Sequence, residues 1–299
     1  MKKTLFYSFL SLAVLAGCAD KSSESTSGTA AATSDSVAST ASTAETASSA
    51  KIDETAELGC YVGEFVAEKF QKGKNPSHSN RINISIDELS DYKVKGHSVV
   101  AGNSRPFSGT YDIKEDGSYT IEAAEPGDDK YDGKFSFVLD PASRTVRGTW
   151  VANDSKLAVT ERSYDLIYKT FKYDPDAELP EEVGWADLYS TVPDPEWQRA
   201  ERTTDEVTKY NASKVKLKKE DVENMYKSDM EILRNSIYAR HGYSFKTRKM
   251  RYVFDTYVDW YIPMSTDVSK ELTQLEQENI ALLKRYEQHA ETYYDTFGR

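Results

Sequence analysis

Between residues 58 and 173 apolar and polar side chains alternate, the period-two pattern of strands that bury one face. The alternation is clear at Ile82-Ile84-Ile86, Phe107-Gly109-Tyr111-Ile113, Tyr119-Ile121-Ala123, Phe135-Phe137-Leu139 and Val146-Gly148-Trp150. About eight strands are expected, with no helical pattern between them. Asp116-Gly117 and Asp132-Gly133 read as two-residue hairpin turns, because glycine takes the positive φ that a type I′ turn demands. Eight antiparallel strands with short connections suit a small closed barrel, which leaves no exposed edge; a two-sheet sandwich is the competing arrangement. Cys60 is expected on the first strand as a small buried hydrophobe.

Residues 174–212 combine proline with acidic side chains and read as a linker, with Trp197, Ala200, Thr204 and Val207 spaced for one face of a short helix. Over 213–294 the apolar period lengthens to that of a helix. Ser228-Asp229-Met230-Glu231 and Thr273-Gln274-Leu275-Glu276 read as capping boxes. The first opens a helix through Leu233, Ile237 and Arg240 that Gly242 ends; a second helix is expected from Lys246 to Tyr257. The third presents Leu275, Leu282, Leu283, Tyr286, Ala290 and Tyr293 as a stripe that needs a packing partner. The fold class is therefore α+β and multidomain: a small antiparallel β-barrel, or sandwich, followed by a small α-helical module.

The N-terminus has a different character. Lys2 and Lys3 precede a short apolar stretch, too short for a permanent membrane span, and Leu15-Ala16-Gly17-Cys18 follows at once. Those four residues resemble the bacterial lipobox, so 1–17 is expected to be a lipoprotein signal peptide. The resemblance implies that Cys18 becomes the acylated first residue of the mature chain, carrying palmitate-type chains. Each buried methylene contributes roughly 0.8 kcal/mol, so two or three acyl chains hold a protein to a leaflet. Residues 18–57 are dominated by Ser, Thr and Ala and form a tether that cannot bury enough surface to order itself. The expected location is the extracytoplasmic side of the cell envelope, at the outer rather than the inner membrane.

The net charge of −11 over 299 residues argues against a nucleic-acid partner, which needs a basic footprint. Two cysteines, one of them in the lipobox, provide neither a disulfide framework nor a Cys-x-x-Cys site. Gly96-His97-Ser98-Val99-Val100 lacks the second glycine of a nucleophile elbow. Asp128, Asp129 and Asp132 crowd one loop, but without calcium-loop spacing. No metal or other cofactor is expected. The Arg-bearing stretch Gly102-Asn103-Ser104-Arg105-Pro106-Phe107 reads as a turn before a strand, with framing of a barrel mouth as the alternative.

Tyr238-Ala239-Arg240-His241-Gly242, with Tyr243-Ser244-Phe245, Trp260-Tyr261-Ile262-Pro263 and the helix at Leu275 around it, resembles the YARHG domain over roughly 218–287. The resemblance implies extracytoplasmic placement and supplies no catalytic residues. Gly59-Cys60-Tyr61-Val62-Gly63 and Gly148-Thr149-Trp150 are loosely similar to lipocalin-type barrels. At the five-residue block, Tyr238, Arg240 and His241 are expected to tie a helix end to the Trp260-Tyr261 loop. The alternative is an anion or glycan site in which Arg240, His241, Lys246, Arg248, Lys249 and Arg251 meet carboxylates while Tyr243 and Trp260 stack on sugar rings. The functional expectation is a lipid-anchored, non-catalytic envelope protein that binds peptidoglycan or another envelope component. A lipocalin-like carrier of a small apolar ligand and an envelope hydrolase are the alternatives.

Overall fold

In the computed structural model the described residues are 58–186 and 203–293. The expected signal peptide at 1–17, Cys18 and the expected tether at 18–57 lie outside them, as do Trp197 and Ala200 of the helix expected in the linker. Eight strands run in order: β1 (Gly59–Phe70), β2 (Arg81–Ser90), β3 (Lys93–Val100), β4 (Asn103–Ile113), β5 (Tyr119–Ala124), β6 (Gly133–Asp140), β7 (Thr145–Ala152) and β8 (Val159–Lys169). Each pairs antiparallel with the next, and β8 returns to β1 with Tyr61 opposite Tyr168 and Phe65 opposite Tyr164. The sheet is thus a closed barrel, not a sandwich. Its interior is filled by the alternating apolar set: Ile82, Ile84, Ile121, Leu139, Val146 and Leu166 are sealed from solvent among the rings of Tyr61, Phe107, Phe135, Phe137 and Tyr164.

The turns differ from the sequence expectation. Asp116-Gly117 does turn the chain, with Gly117 at φ +82°, but within a five-residue loop between Ile113 and Tyr119. Asp132-Gly133 is no hairpin turn. Gly133 opens β6 and has no side chain because a Cβ there would lie 2.4 Å from the Trp150 indole; the positive φ of that loop belongs to Gly127. The tight turns are Asp91-Tyr92 (φ +50° and +59°) and Ala101-Gly102 (φ +50° and +73°).

The helical region comprises α1 (Lys219–Val222), α2 (Lys227–Arg240), α3 (Arg248–Tyr257) and α4 (Gln274–Tyr293). The second helix of the expected set therefore starts at Arg248, not Lys246. The Thr273 box is present: Glu276 N–H donates to Thr273 Oγ1 (3.2 Å) and Thr273 N–H to Glu276 Oε2 (2.9 Å). The Ser228 box is absent. α2 begins before it, with Tyr226 at the cap position and no side-chain cap. Buried Asp229 is instead drawn to Thr204, accepting from its N–H (2.8 Å) and Oγ1 (2.7 Å) at the head of a 3-10 turn, Asp205–Thr208. Of the helical face expected in the linker, Thr204 is instead the extended cap of that turn, and Val207 is buried in it. On α4 the stripe is shifted: Tyr293 is exposed, while Glu276 and Asn279 are buried with Ile280, Leu283 and Ala290. Asn279 Nδ2 donates to the carbonyls of Ala212 (2.7 Å) and Val215 (2.8 Å). Leu179, Val183 and Ala186, from the acidic connector, also enter the helical core.

The helical region is laid on the outer face of β1–β3, and all the described residues belong to one compact unit. Outward-facing Asn83 and Ser85 are buried there, because Asn83 Nδ2 donates to the Pro263 carbonyl (3.0 Å). The Arg81 guanidinium donates to the carbonyls of Asp255 (2.7 Å), Val258 (2.5 Å) and Tyr261 (2.9 Å). Cys60 lies at this seam, half-buried, with Sγ 3.4 Å from Ser85 Oγ and 3.8 Å from Met264 Sδ. Strand alternation turns it toward the helical region, so it is not a residue of the barrel core.

Candidate functional site

Two places gather charged and aromatic side chains. The first is the C-terminal end of α2. Gly242 follows it at φ +76°, and its carbonyl accepts from the N–H groups of Met264 (2.7 Å) and Ser265 (3.0 Å). Arg240 is only 2% exposed; Nε donates to the Ala177 carbonyl (2.9 Å), Nη1 to Ser236 Oγ (2.8 Å), and the guanidinium lies 5.6 Å from the centre of the Trp260 ring. Burial lowers its pKa to about 10. His241 stacks on Tyr173 at 4.2 Å and its Nε2 meets Glu276 Oε2 at 2.9 Å. Burial pushes the Glu276 carboxyl up, but hydrogen bonds from His241, Ser213 and Thr273 outweigh it and bring the pKa to about 2.

The other sequence-selected residues are tied in as well. The Tyr243 carbonyl accepts from Tyr261 Oη (2.8 Å), and its ring sits 5.9 Å from that of Tyr238. Trp260 Nε1 donates to the Glu178 carbonyl (2.7 Å). Lys249 stands apart from this cluster, paired with Glu231 of α2, and burial lowers its pKa to about 8. Arg240 and Trp260 are brought together, as are His241, Glu276 and Tyr173. Their polar atoms point at the protein's own main chain and carboxylates, an arrangement that fastens the connector, α2 and α4 to one another. Tyr173, Ser213 and Glu276 were not singled out by sequence as partners of the block; the Thr273 capping box was the one available pointer to Glu276.

The second place is one mouth of the barrel, where the β1–β2, β5–β6 and β7–β8 loops meet the N-terminal turn of α3. A cavity of about 350 Å³ opens there. Strand alternation turns Ser98, Arg105, Glu125, Trp150 and Arg162 into it, above Phe65 and Phe135. Glu125 is buried; its carboxylate accepts from Gly133 N–H (2.7 Å), Trp150 Nε1 (3.1 Å) and Ser98 Oγ (3.3 Å), and burial raises its pKa. Arg105 pairs with Asp132 (3.1 Å) and Asp129 (3.3 Å), so the loop acids that might suggest a cation meet an arginine. The Arg-bearing stretch, which opens β4 at Asn103, thus frames the mouth, the alternative considered for it.

Arg162 is 8% exposed and donates to the carbonyls of Phe65 (2.7 Å), His78 (3.5 Å) and Ser77 (3.2 Å). Arg251, from α3, reaches the same cavity and donates to Asn80 Oδ1 (3.1 Å), Ser77 Oγ (3.3 Å) and the Lys246 carbonyl. Burial, reinforced by Arg251, lowers the Arg162 pKa to about 10. Ser98 and His97 sit on opposite faces of β3: Ser98 points inward, while His97 pairs with Asp87 outside (2.8 Å). Among the described residues no group of three or more His, Cys, Asp and Glu is placed to hold a metal ion, and no helix is long and apolar enough to cross a membrane.

No curated protein matches the chain. The family model that does match is the YARHG domain, over residues 205–288, covering the helical region and leaving the barrel outside the match. The chain carries a YARHG domain at 205–288, built on the α2 end that holds Arg240 and His241.

Proposed function

We propose that the protein is a lipid-anchored, extracytoplasmic binding protein of the bacterial envelope, held through Cys18 to the outer membrane and acting without catalysis. The cavity at the barrel mouth carries this reading. The barrel axis is filled by its own side chains, and the space left is a solvent-open pocket walled partly by the barrel and partly by α3. Concave, largely apolar sites with a few converging polar groups are where small ligands bind. A guest of lipocalin type would then occupy the mouth and not the packed axis. The opposed faces of Ser98 and His97 speak against acyl-transfer chemistry there, since a nucleophile and its base must lie within hydrogen-bond reach. The YARHG domain, a module of exported proteins, supports the placement outside the cytoplasm, and the lipobox at 15–18 supports the anchor.

Native mass spectrometry of the full chain, extracted from cells in mild detergent, tests the proposal. The expected spectrum is a polypeptide beginning at an acylated Cys18 with a small non-covalent guest shed at higher collision energy. An unacylated chain that retains Met1 and carries no guest would overturn it.

A further inference from the structure

The geometry points to the mouth cavity as a site for a monoanionic organic ligand, a carboxylate on an apolar or aromatic body, received by the guanidinium groups of Arg162 and Arg251. This rests on the preceding reading in one respect, that the mouth is where a guest sits.

Both cations are costly where they stand. Arg162 is largely buried, its partners are neutral carbonyls, and the charge that acts on it is that of Arg251, of the same sign. Arg251 is held by an amide oxygen, a hydroxyl and a carbonyl. The opposite charge that acts on it is Asp255, one turn further along α3, whose carboxylate accepts from Arg81 N–H (2.9 Å) and forms no ion pair with Arg251. No carboxylate forms an ion pair with either among the described residues. A desolvated charge is unfavourable unless an opposite charge meets it, and two like charges side by side add to that cost. Each guanidinium offers five N–H donors, and three hydrogen bonds are made by each. Donors therefore remain for the two oxygens of a carboxylate, the acceptor that such forks suit.

The rest of the cavity selects among anions. Arg105 is already neutralised by Asp132 and Asp129. Glu125 occupies another wall, so a second negative charge on the ligand meets repulsion, which favours a monoanion over a phosphate dianion. Phe65, Ile82, Phe135 and Trp150 give an apolar and aromatic bed. At about 350 Å³ the cavity is at the small end of ligand sites. A free organic acid and the C-terminal carboxylate of a peptide trailing out of the mouth share this chemistry.

Calorimetry on the full chain distinguishes them with five probes: 3-phenylpropionate, its amide, phenyl phosphate, and Ala-Ala-Phe with a free or an amidated C-terminus. At least one of the two carboxylates is expected to bind with Kd below ~1 mM, and its amide at least ~10-fold more weakly. Arg251→Gln, which leaves Arg162 on β8 in place, should weaken the acid at least ~10-fold more than it weakens the amide. That difference would not follow from partial unfolding. Binding of the peptide acid without the free acid assigns the site to chain ends, and the reverse to small acids. Equal binding of acid and amide, or tighter binding of phenyl phosphate, overturns the monocarboxylate assignment and leaves the mouth as a binding site. Failure of all five overturns both.

Discussion

Replacing Glu276 by Gln preserves its shape and removes its charge. The side chain is fully buried, and its oxygens accept from Thr273 N–H (2.9 Å), Thr273 Oγ1 (3.0 Å), His241 Nε2 (2.9 Å) and Tyr173 Oη (3.1 Å). Glutamine keeps one oxygen for the Thr273 and His241 donors and turns its NH2 toward Tyr173 Oη, which can accept it, so the shape is met and the charge is lost. Hydrogen bonds to a charged acceptor contribute about 1.5–3 kcal/mol each, and a buried donor left unmet costs about 1–3 kcal/mol. With about 1 kcal/mol lost from each of the three bonds that stay on the oxygen once the acceptor is neutral, the destabilisation is roughly 3 kcal/mol. Urea unfolding of the full chain, followed by circular dichroism at pH 7, measures it. A Gln variant within ~0.5 kcal/mol of the parent would refute the view that the YARHG block is a structural joint. The pH dependence gives a second check. The folded pKa of Glu276 is depressed to about 2 from 4.5, so its stabilisation is complete above the unfolded value and is lost as pH falls through the folded one. The parent should weaken across that acidic window by more than Glu276→Gln does.

Three further outcomes follow from the geometry. Gly133→Ala puts a Cβ 2.4 Å from the Trp150 ring and 2.5 Å from the Val151 carbonyl; overpacking of this kind costs about 1–3 kcal/mol, and a melting temperature equal to the parent's would count against the close strand contact. Arg81→Met strips the charged donor from the carbonyls of Asp255, Val258 and Tyr261, at a cost of about 3 kcal/mol or more. It should split unfolding so that the helical region melts before the barrel, whereas one unchanged transition would show that the seam lies elsewhere. Cys18→Ser should release the protein from the membrane fraction and abolish metabolic acyl labelling; unchanged fractionation would remove the anchor from the proposal.

The strands were legible because a barrel wall buries one face, and period-two alternation records that burial residue by residue. The turns were not, since their conformation is imposed by register. Tyr92 takes φ +59° because β2 and β3 pair Ser90 with Lys93 across a two-residue gap, not because its own chemistry favours it. The caps divide in the same way. The Thr273 box is local and holds, whereas Asp229 is engaged by a tertiary partner, Thr204, and Ser228 lies inside α2 and not at its cap. On α4 the burial of Glu276 and Asn279 was not legible, because polarity alone does not reveal a buried group whose hydrogen bonds are met by Tyr173, His241 and Thr273 or by main-chain carbonyls.

The mouth was half visible. On β8 Arg162 stands in the same register as Tyr164 and Leu166; on β4 Arg105 precedes Phe107; after β5 Glu125 continues Tyr119, Ile121 and Ala123. A charge in the inward register of a strand end is a signal that alternation contains, and antiparallel order places the start of β8, the start of β4 and the end of β5 at one rim. Such rim charges ordinarily reach water at little cost. What makes these different is a lid: Arg248 donates to the carbonyls of Asn75 (2.8 Å) and Pro76 (3.1 Å), Arg251 to Asn80 and Ser77, and the β1–β2 loop is drawn over Arg162. The coverage that turns an ordinary rim into a desolvated cationic site is thus made by α3 acting on a barrel loop. A contact of that kind, between a helix and a distant strand connection, leaves no period in either segment.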